Sequence, residues 1–206
     1  YPLPALFLDF ETIQFAVPIW AGTRPYQQIP FQYSVHRLDA QGQLTHREFL
    51  DLSGQDPSRA FAEQLIRDCG TDEPVFVYNA AFEKARMTEL AERFPDLADA
   101  LQAIVERVVD LLPIARQRYY HPALQGSGSI KAVLPAAVPE LSYSALEGVQ
   151  DGGGAQEAFL EAIALGTKQQ RKVELQRQLL AYCALDTYAM VRLWGVFAGR
   201  AGIMRG

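Results

Sequence analysis

The sequence predicts an α/β fold: a mixed five-stranded sheet flanked by helices. Two observations carry this. Strand-like and helix-like segments follow one another as β-β-β-α-β-α, then β-α, then further helices, an order that sets an antiparallel meander beside parallel strands. The composition, 49% hydrophobic and 21% charged over 206 residues, is that of an ordinary globular chain long enough for one domain with a sizeable core.

Other bulk features narrow the classes. No apolar run reaches the roughly 18 residues of a membrane helix, and nothing resembles a signal peptide. No membrane partner is therefore expected, and a cytoplasmic location is. Cys69 and Cys183 are too few and too far apart for a disulfide framework or a zinc site. The formal charge of −5 argues against a broadly cationic surface, but metal-binding carboxylates would themselves make a chain acidic, so a local basic track stays open. Position 1 is Tyr rather than Met, and the expectation is one domain over residues 1–206, excised from a longer chain.

In order, residues 5–10 form the first strand, ending in Asp9-Phe10-Glu11-Thr12. Residues 13–30, with Pro18, Gly22, Pro25 and Pro30, read as an irregular loop. Residues 31–36 alternate apolar and polar, 39–42 supply a turn, and 44–50 return. Asp56-Pro57-Ser58 starts a helix that Gly70 ends. Residues 74–78 are a short buried strand, Asn79 caps a helix to about Arg93, and Pro95 opens another to about Glu106. Residues 108–112 form a further strand or strand-to-helix junction, and a helix then reaches Tyr119 or Tyr120. A flexible loop at 125–129 precedes a short helix to about Leu134, which Pro135 and Pro139 interrupt. Asp151-Gly152-Gly153-Gly154 reads as a mobile surface loop, and helices follow at 156–165 and 168–198.

Three constellations stand out. Asp9 and Glu11, two apart on a strand, project to one face, and like charges there are costly unless a divalent cation supplies the counter-charge. The bland alternative is a solvated strand. Glu83 lies one turn into the helix after Asn79 and points back toward the strand ends, or is an exposed surface acid. Tyr182 and Asp186, at i and i+4, share an apolar stripe with Leu175, Leu179 and Met190. There the acid is paired or functional, or sits at the rim beside a core tyrosine.

Together these segments resemble the DEDD exonuclease superfamily, built on the ribonuclease H-like fold. Asp9 and Glu11 match its first motif. Asn79, Phe82 and Glu83 match its Asn-x-x-Phe-Asp motif, with Glu in place of Asp. Tyr182 and Asp186 match the Tyr-x-x-x-Asp form of the third, the DEDDy branch, since Ala181 stands where the histidine form needs its histidine. The runs 78–87, 109–116 and 128–134 also resemble an uncharacterised bacterial family of such domains, usually the C-terminal part of a longer protein.

The resemblance implies a 3′→5′ exonuclease that hydrolyses phosphodiester bonds at 3′ ends of single-stranded DNA or RNA. It implies two divalent cations, Mg²⁺ or Mn²⁺, about 3.5–4 Å apart, held by Asp9, Glu11, Glu83 and Asp186. Tyr182 would orient the attacking water, and Thr12, Asn79 and Phe82 would meet the nucleic acid. Lys131 is a candidate phosphate contact. Arg86, Arg116 and Arg118 extend a basic track or form solvated helix faces, and Phe15, Trp20 and Tyr26 stack on a base or pack their own loop. Tyr119–Pro122 line a groove or serve structure, and structure is favoured. Asp110 is a site-edge acid or, more in keeping with its position, a helix cap. His36 and His46 are expected to face solvent without a role. The competing reading is a catalytically weak nucleic-acid-binding or scaffolding module, motivated by Glu83 and by the acidic isoelectric point. A third is an endonuclease or a phosphodiesterase on small nucleotides.

Overall fold

A computed structural model describes residues 3–200. Its central strand, β1 (Ala5–Ile13), is buried along almost its whole length. β1 pairs antiparallel with β2 (Ile29–Leu38), and β2 antiparallel with β3 (Leu44–Leu50). On the other side β1 pairs parallel with β4 (Val75–Val77), and β4 parallel with β5 (Val108–Asp110). The order β3-β2-β1-β4-β5 is the mixed five-stranded sheet expected.

Seven α-helices flank it among the described residues: α1 (Ser58–Cys69), α2 (Ala80–Arg93), α3 (Ala98–Glu106), α4 (Leu112–Arg118), α5 (Ile130–Ala137), α6 (Gly152–Ile163) and α7 (Gln169–Phe197). Strand alternation divides the core between two faces. Leu6, Leu8 and Phe10 pack with Phe61, Leu65, Met87 and Leu101 of α1–α3. Ala5 and Phe7 face α7, where Phe7 stacks on Phe76 at 5.3 Å and meets the edge of Trp194. Farther along the same face, Ile13, Ile29 and Phe31 meet Phe159 of α6 and Leu175 and Leu179 of α7. Each such buried side chain contributes about 1.5–3 kcal/mol. Asp9 and Glu11 share this face, so the acids of β1 project toward α7.

Several expectations need correction. β1 continues to Ile13 through a register shift at Glu11/Thr12, because β2 starts at Ile29 and keeps pairing with it; the loop shrinks to residues 14–28. Pro135 lies inside α5. Near the C-terminal end of so short a helix it forfeits one backbone bond, while the buried Val133, Leu134 and Val138 hold the turn in place. Residues 152–154 open α6 rather than forming a loop. The Asp151 carboxylate accepts from the Gly154 amide (2.8 Å), and the stripe Ala155, Ala158, Phe159, Ala162 docks the helix despite its glycines.

His36 is buried, not solvent-facing. Its Nδ1 lies 2.8 Å from the Thr187 hydroxyl of α7, and its ring stacks on His46 at 4.3 Å. His46 bonds the Ser34 hydroxyl at 2.8 Å, and Ser34 meets Thr187 at 2.7 Å. Phe15 and Trp20 pack edge to face within their loop, with the Trp20 indole donating to the Gly54 carbonyl, so their role is structural. Tyr26 is exposed.

Candidate metal centre

β1 delivers Asp9 and Glu11 to the side covered by α7, and α7 presents Asp186 from its buried stripe. One carboxylate oxygen from each of the three lies within 4.8 Å of the others. Oxygen–cation contacts of about 2.1–2.4 Å let a single Mg²⁺, Mn²⁺ or Ca²⁺ ion span such a set. Glu11 and Asp186 are buried, at 8% and 6% exposure, and Asp9 is partly open. α7 is seated on β1 by the Cys183 thiol, whose sulfur lies 3.7 Å from the Asp9 carbonyl.

Desolvation first, and then mutual repulsion, raises these acids. Burial lifts Asp9 well above the usual carboxylate range, and the charges of Asp186, Glu11 and Glu83 add to it. Burial and the charge of Asp186 bring Glu11 to about 8, with Lys131 opposing and Asp151 adding. Asp186 reaches only about 6: burial raises it, but hydrogen bonds from Tyr143 and Tyr182 and the charge of Lys131 hold it down. The charge of Lys131 does not balance these acids. An all-oxygen donor set short of counter-charge fits a hard divalent cation.

Glu83 is 2% exposed, so the reading of it as a surface acid fails. Its Oε2 has no hydrogen-bond partner, and its charge is felt at Asp9. Burial, with Asp110 adding repulsion, brings it to about 8. Glu83 does not belong to the three-oxygen set, so it stands beside the cation position rather than within it.

Asn79 does not cap α2. It adopts the left-handed conformation (φ 87°), and the cap comes from Asp110, thirty-one residues away, whose two oxygens accept from the Asn79 and Ala80 amides at 3.0 Å. Asp110 also accepts from the Leu112 amide at 2.9 Å, capping α4 as expected. One carboxylate thus sets the origins of both helices and the approach of Glu83.

Tyr182 is buried and its phenol is pushed up by desolvation and the charges of Asp186, Glu11 and Asp9, so it stays protonated. Tyr143, which the sequence reading missed, is buried beside it and donates to Asp186 Oδ1 at 2.5 Å. It sits in a short turn (Tyr143–Ala145) after Pro139, where nothing in the local pattern marks it. Lys131 on α5 has its ammonium 5.4 Å and 5.5 Å from the Tyr143 and Tyr182 rings and donates to the Gln150 carbonyl. The first turn of α6 also abuts the centre: a Cβ on Gly152 would lie 3.8 Å from Glu11 Oε2.

The remaining expected residues are more scattered. Thr12 is buried at the register shift of β1, Asn79 is exposed, and Phe82 is half-buried against the α1–α3 core. Arg86 lies over the Phe82 ring and is bonded to Glu89 and Gln28, so it belongs to no open basic track. Arg116 and Arg118 are exposed.

The architecture and site define an α/β domain with an acidic centre at the C-terminal end of its central strand. The family model described as "Domain of unknown function (DUF2779)" matches residues 6–129, and the chain belongs to that family. The matched span holds Asp9, Glu11 and Glu83, while Tyr182 and Asp186 lie beyond it. The chain is also similar to the "Uncharacterized protein MG366 homolog" of Mycoplasma pneumoniae, at 28% identity over 91% of this chain, and to the "Uncharacterized protein MG366" of Mycoplasma genitalium, at 26% over 91%. It spans 31% of the length of each of these relatives. No solved structure matches, and no helix among the described residues is long and apolar enough to cross a membrane.

Proposed function

We propose that this domain is a divalent-cation-dependent 3′→5′ exonuclease of the DEDDy type acting on single-stranded DNA or RNA. The observation that carries the reading is the convergence of Asp9, Glu11 and Asp186 within 4.8 Å, although Asp186 lies 177 and 175 residues from the other two in sequence, with Tyr182 beside them. A lone acidic pair on a strand has many explanations. Two buried acids and a half-buried one, all with raised protonation, a fourth with an orphaned oxygen and two tyrosines on one of them have few. The 3′→5′ polarity rests on the resemblance of the motifs.

Asp9, Glu11 and Asp186 would hold the first Mg²⁺ or Mn²⁺ ion, and Glu83 with Asp9 the second. Such ions lower the pKa of a coordinated water and neutralise charge on the leaving oxygen. Tyr182, kept protonated, is a hydrogen-bond donor and orients the water rather than deprotonating it. Tyr143 fixes the rotamer of Asp186. Lys131, over the tyrosine rings, offers a cation to a non-bridging phosphate oxygen.

The test is incubation with 3′- and 5′-labelled single-stranded DNA and RNA in Mg²⁺ or Mn²⁺. Stepwise shortening from the 3′ end is expected, lost in Asp9→Asn and Asp186→Asn. No digestion with either ion, or unchanged products from Asp186→Asn, overturns the reading. Exclusion of Glu83 from the three-oxygen set favours the second reading, a binding module with one strong ion site. Calorimetric titration with Mn²⁺ separates the two, because two tight ions are incompatible with it.

A further inference from the structure

Away from the acids, a cleft of about 390 Å³ opens where α4 meets the turn leading into α5. Its wall carries Arg116, Tyr120, His121 and the turn at 125–128. The turn is tied to the sheet on one side and reaches the acidic centre on the other. The Tyr78 hydroxyl, at the C-terminal end of β4, donates to the Gly128 carbonyl at 2.6 Å. One helical turn beyond Gly128, Lys131 stands over Tyr143 and Tyr182.

The charge pattern is local and one-sided. Between Asp110 and Glu140 the sequence contains no Asp or Glu, although the chain has 24 of them, and this run holds Arg116, Arg118, His121 and Lys131. Arg24, Arg37, Arg59, Arg93 and Arg171 are each bridged to a carboxylate. Among the described residues Arg116 and Arg118 have no such bridge. The cleft is also shaped around Arg116: a Cβ on Gly128 would fall 2.6 Å from the arginine's Cγ, so glycine there admits the side chain. Gly126, at φ +83°, has nothing within 4 Å of its Cβ position and leaves the floor open. Tyr120, 88% exposed, presents an aromatic face at the mouth. By contrast, a cleft of about 310 Å³ elsewhere on the molecule has its Arg37 and Arg47 neutralised by Glu73 and Asp68.

We propose that this cleft is a nucleotide subsite for the strand whose end enters the acidic centre, with Arg116 on a backbone phosphate and Tyr120 stacked on a base. The guanidinium fork suits a phosphate, and stacking on a tyrosine is sequence-tolerant, as a single-strand reader requires. The placement relative to the scissile bond rests on the nuclease reading; the binding itself does not.

Fluorescence anisotropy of a 5′-fluorescein-labelled oligothymidylate in Ca²⁺ tests it. Arg116→Ala and Tyr120→Ala are each expected to weaken binding about tenfold, and Arg116→Ala to reduce the salt slope by about one. Tyr120→Phe, which keeps the ring, retains wild-type affinity. No binding by the wild-type chain, unchanged affinity in the Arg116→Ala/Tyr120→Ala double variant, or equal losses in Tyr120→Phe and Tyr120→Ala overturn the subsite. Turnover of the same oligonucleotide by the wild-type chain in Mn²⁺ reads the acidic centre separately. Turnover without the affinity contrast overturns the subsite alone; contrast without turnover upholds the subsite and overturns the nuclease.

Discussion

Asp186 is the most heavily supported of the four acids, and Tyr143 is the principal reason. A hydrogen bond of 2.5 Å from a buried phenol to a carboxylate is charge-assisted. Tyr143→Phe removes it with little change in volume, so destabilisation of about 1.5–3 kcal/mol is expected in urea unfolding. Asp186 should then titrate higher and bind Mn²⁺ more weakly. Glu83 presents the opposite case. Its buried Oε2 has no partner, and its charge opposes that of Asp9. Glu83→Gln should raise the melting temperature in EDTA while lowering turnover in Mn²⁺, the trade expected where a site stores unfavourable charge for its ligand. A lower melting temperature in EDTA would mean that Glu83 serves the fold.

At the scale of elements, Asp110 ties the sheet to two helices. It accepts three backbone amides, those of Asn79 and Ala80 at the start of α2 and that of Leu112 at the start of α4. Losing a single N-cap costs about 1 kcal/mol. Asp110→Ala should therefore cost about 2 kcal/mol in chemical denaturation and reduce turnover by shifting α2 and Glu83. The pattern of elements was legible wherever local periodicity agreed with tertiary packing. β1 announces itself by Leu6, Leu8 and Phe10 against Asp9 and Glu11, and α7 by its buried stripe. Sequence reading fails where the deciding partner is remote. Asn79 looks like a cap until Asp110 arrives from β5, and three glycines look like a loop until the apolar face of α6 docks. Tyr143 carries no local signal, because its importance lies entirely in its contact with α7. His36 alternates as a solvent-facing residue would, yet α7 covers that face and its Thr187 hydroxyl meets both His36 and Ser34.

For the whole molecule, the buried titratable groups oppose one another in a way that fixes a pH profile. Glu11 and Glu83 rise from 4.5 to about 8, and Asp186 from 3.8 to about 6. Folding favours their protonated forms, so the stability from Glu11 and Glu83 is complete below pH 4.5 and lost as pH rises through about 8, and that from Asp186 is complete below 3.8 and lost through about 6. His36 behaves oppositely. Burial, with the neighbouring His46 adding, pushes it from 6.5 down to about 3. The folded state refuses its proton while the unfolded chain takes it, so this contribution is present above pH 6.5 and is lost as pH falls toward 3. Each group contributes a slope of up to about 1.4 kcal/mol per pH unit. Between pH 4.5 and 6.5 the carboxylates outnumber the histidine, and only below about pH 4 does His36 dominate among these groups. The cation-free chain should therefore be most stable near about pH 4, and His36→Gln should flatten the acid limb. Mn²⁺ binds the ionised carboxylates, so it should stabilise most above pH 7 and move the maximum toward neutrality. Melting temperatures from about pH 3 to 8, with EDTA and with Mn²⁺, measure both. An identical profile with and without Mn²⁺ would remove the acidic cluster as a cation site, whatever its geometry.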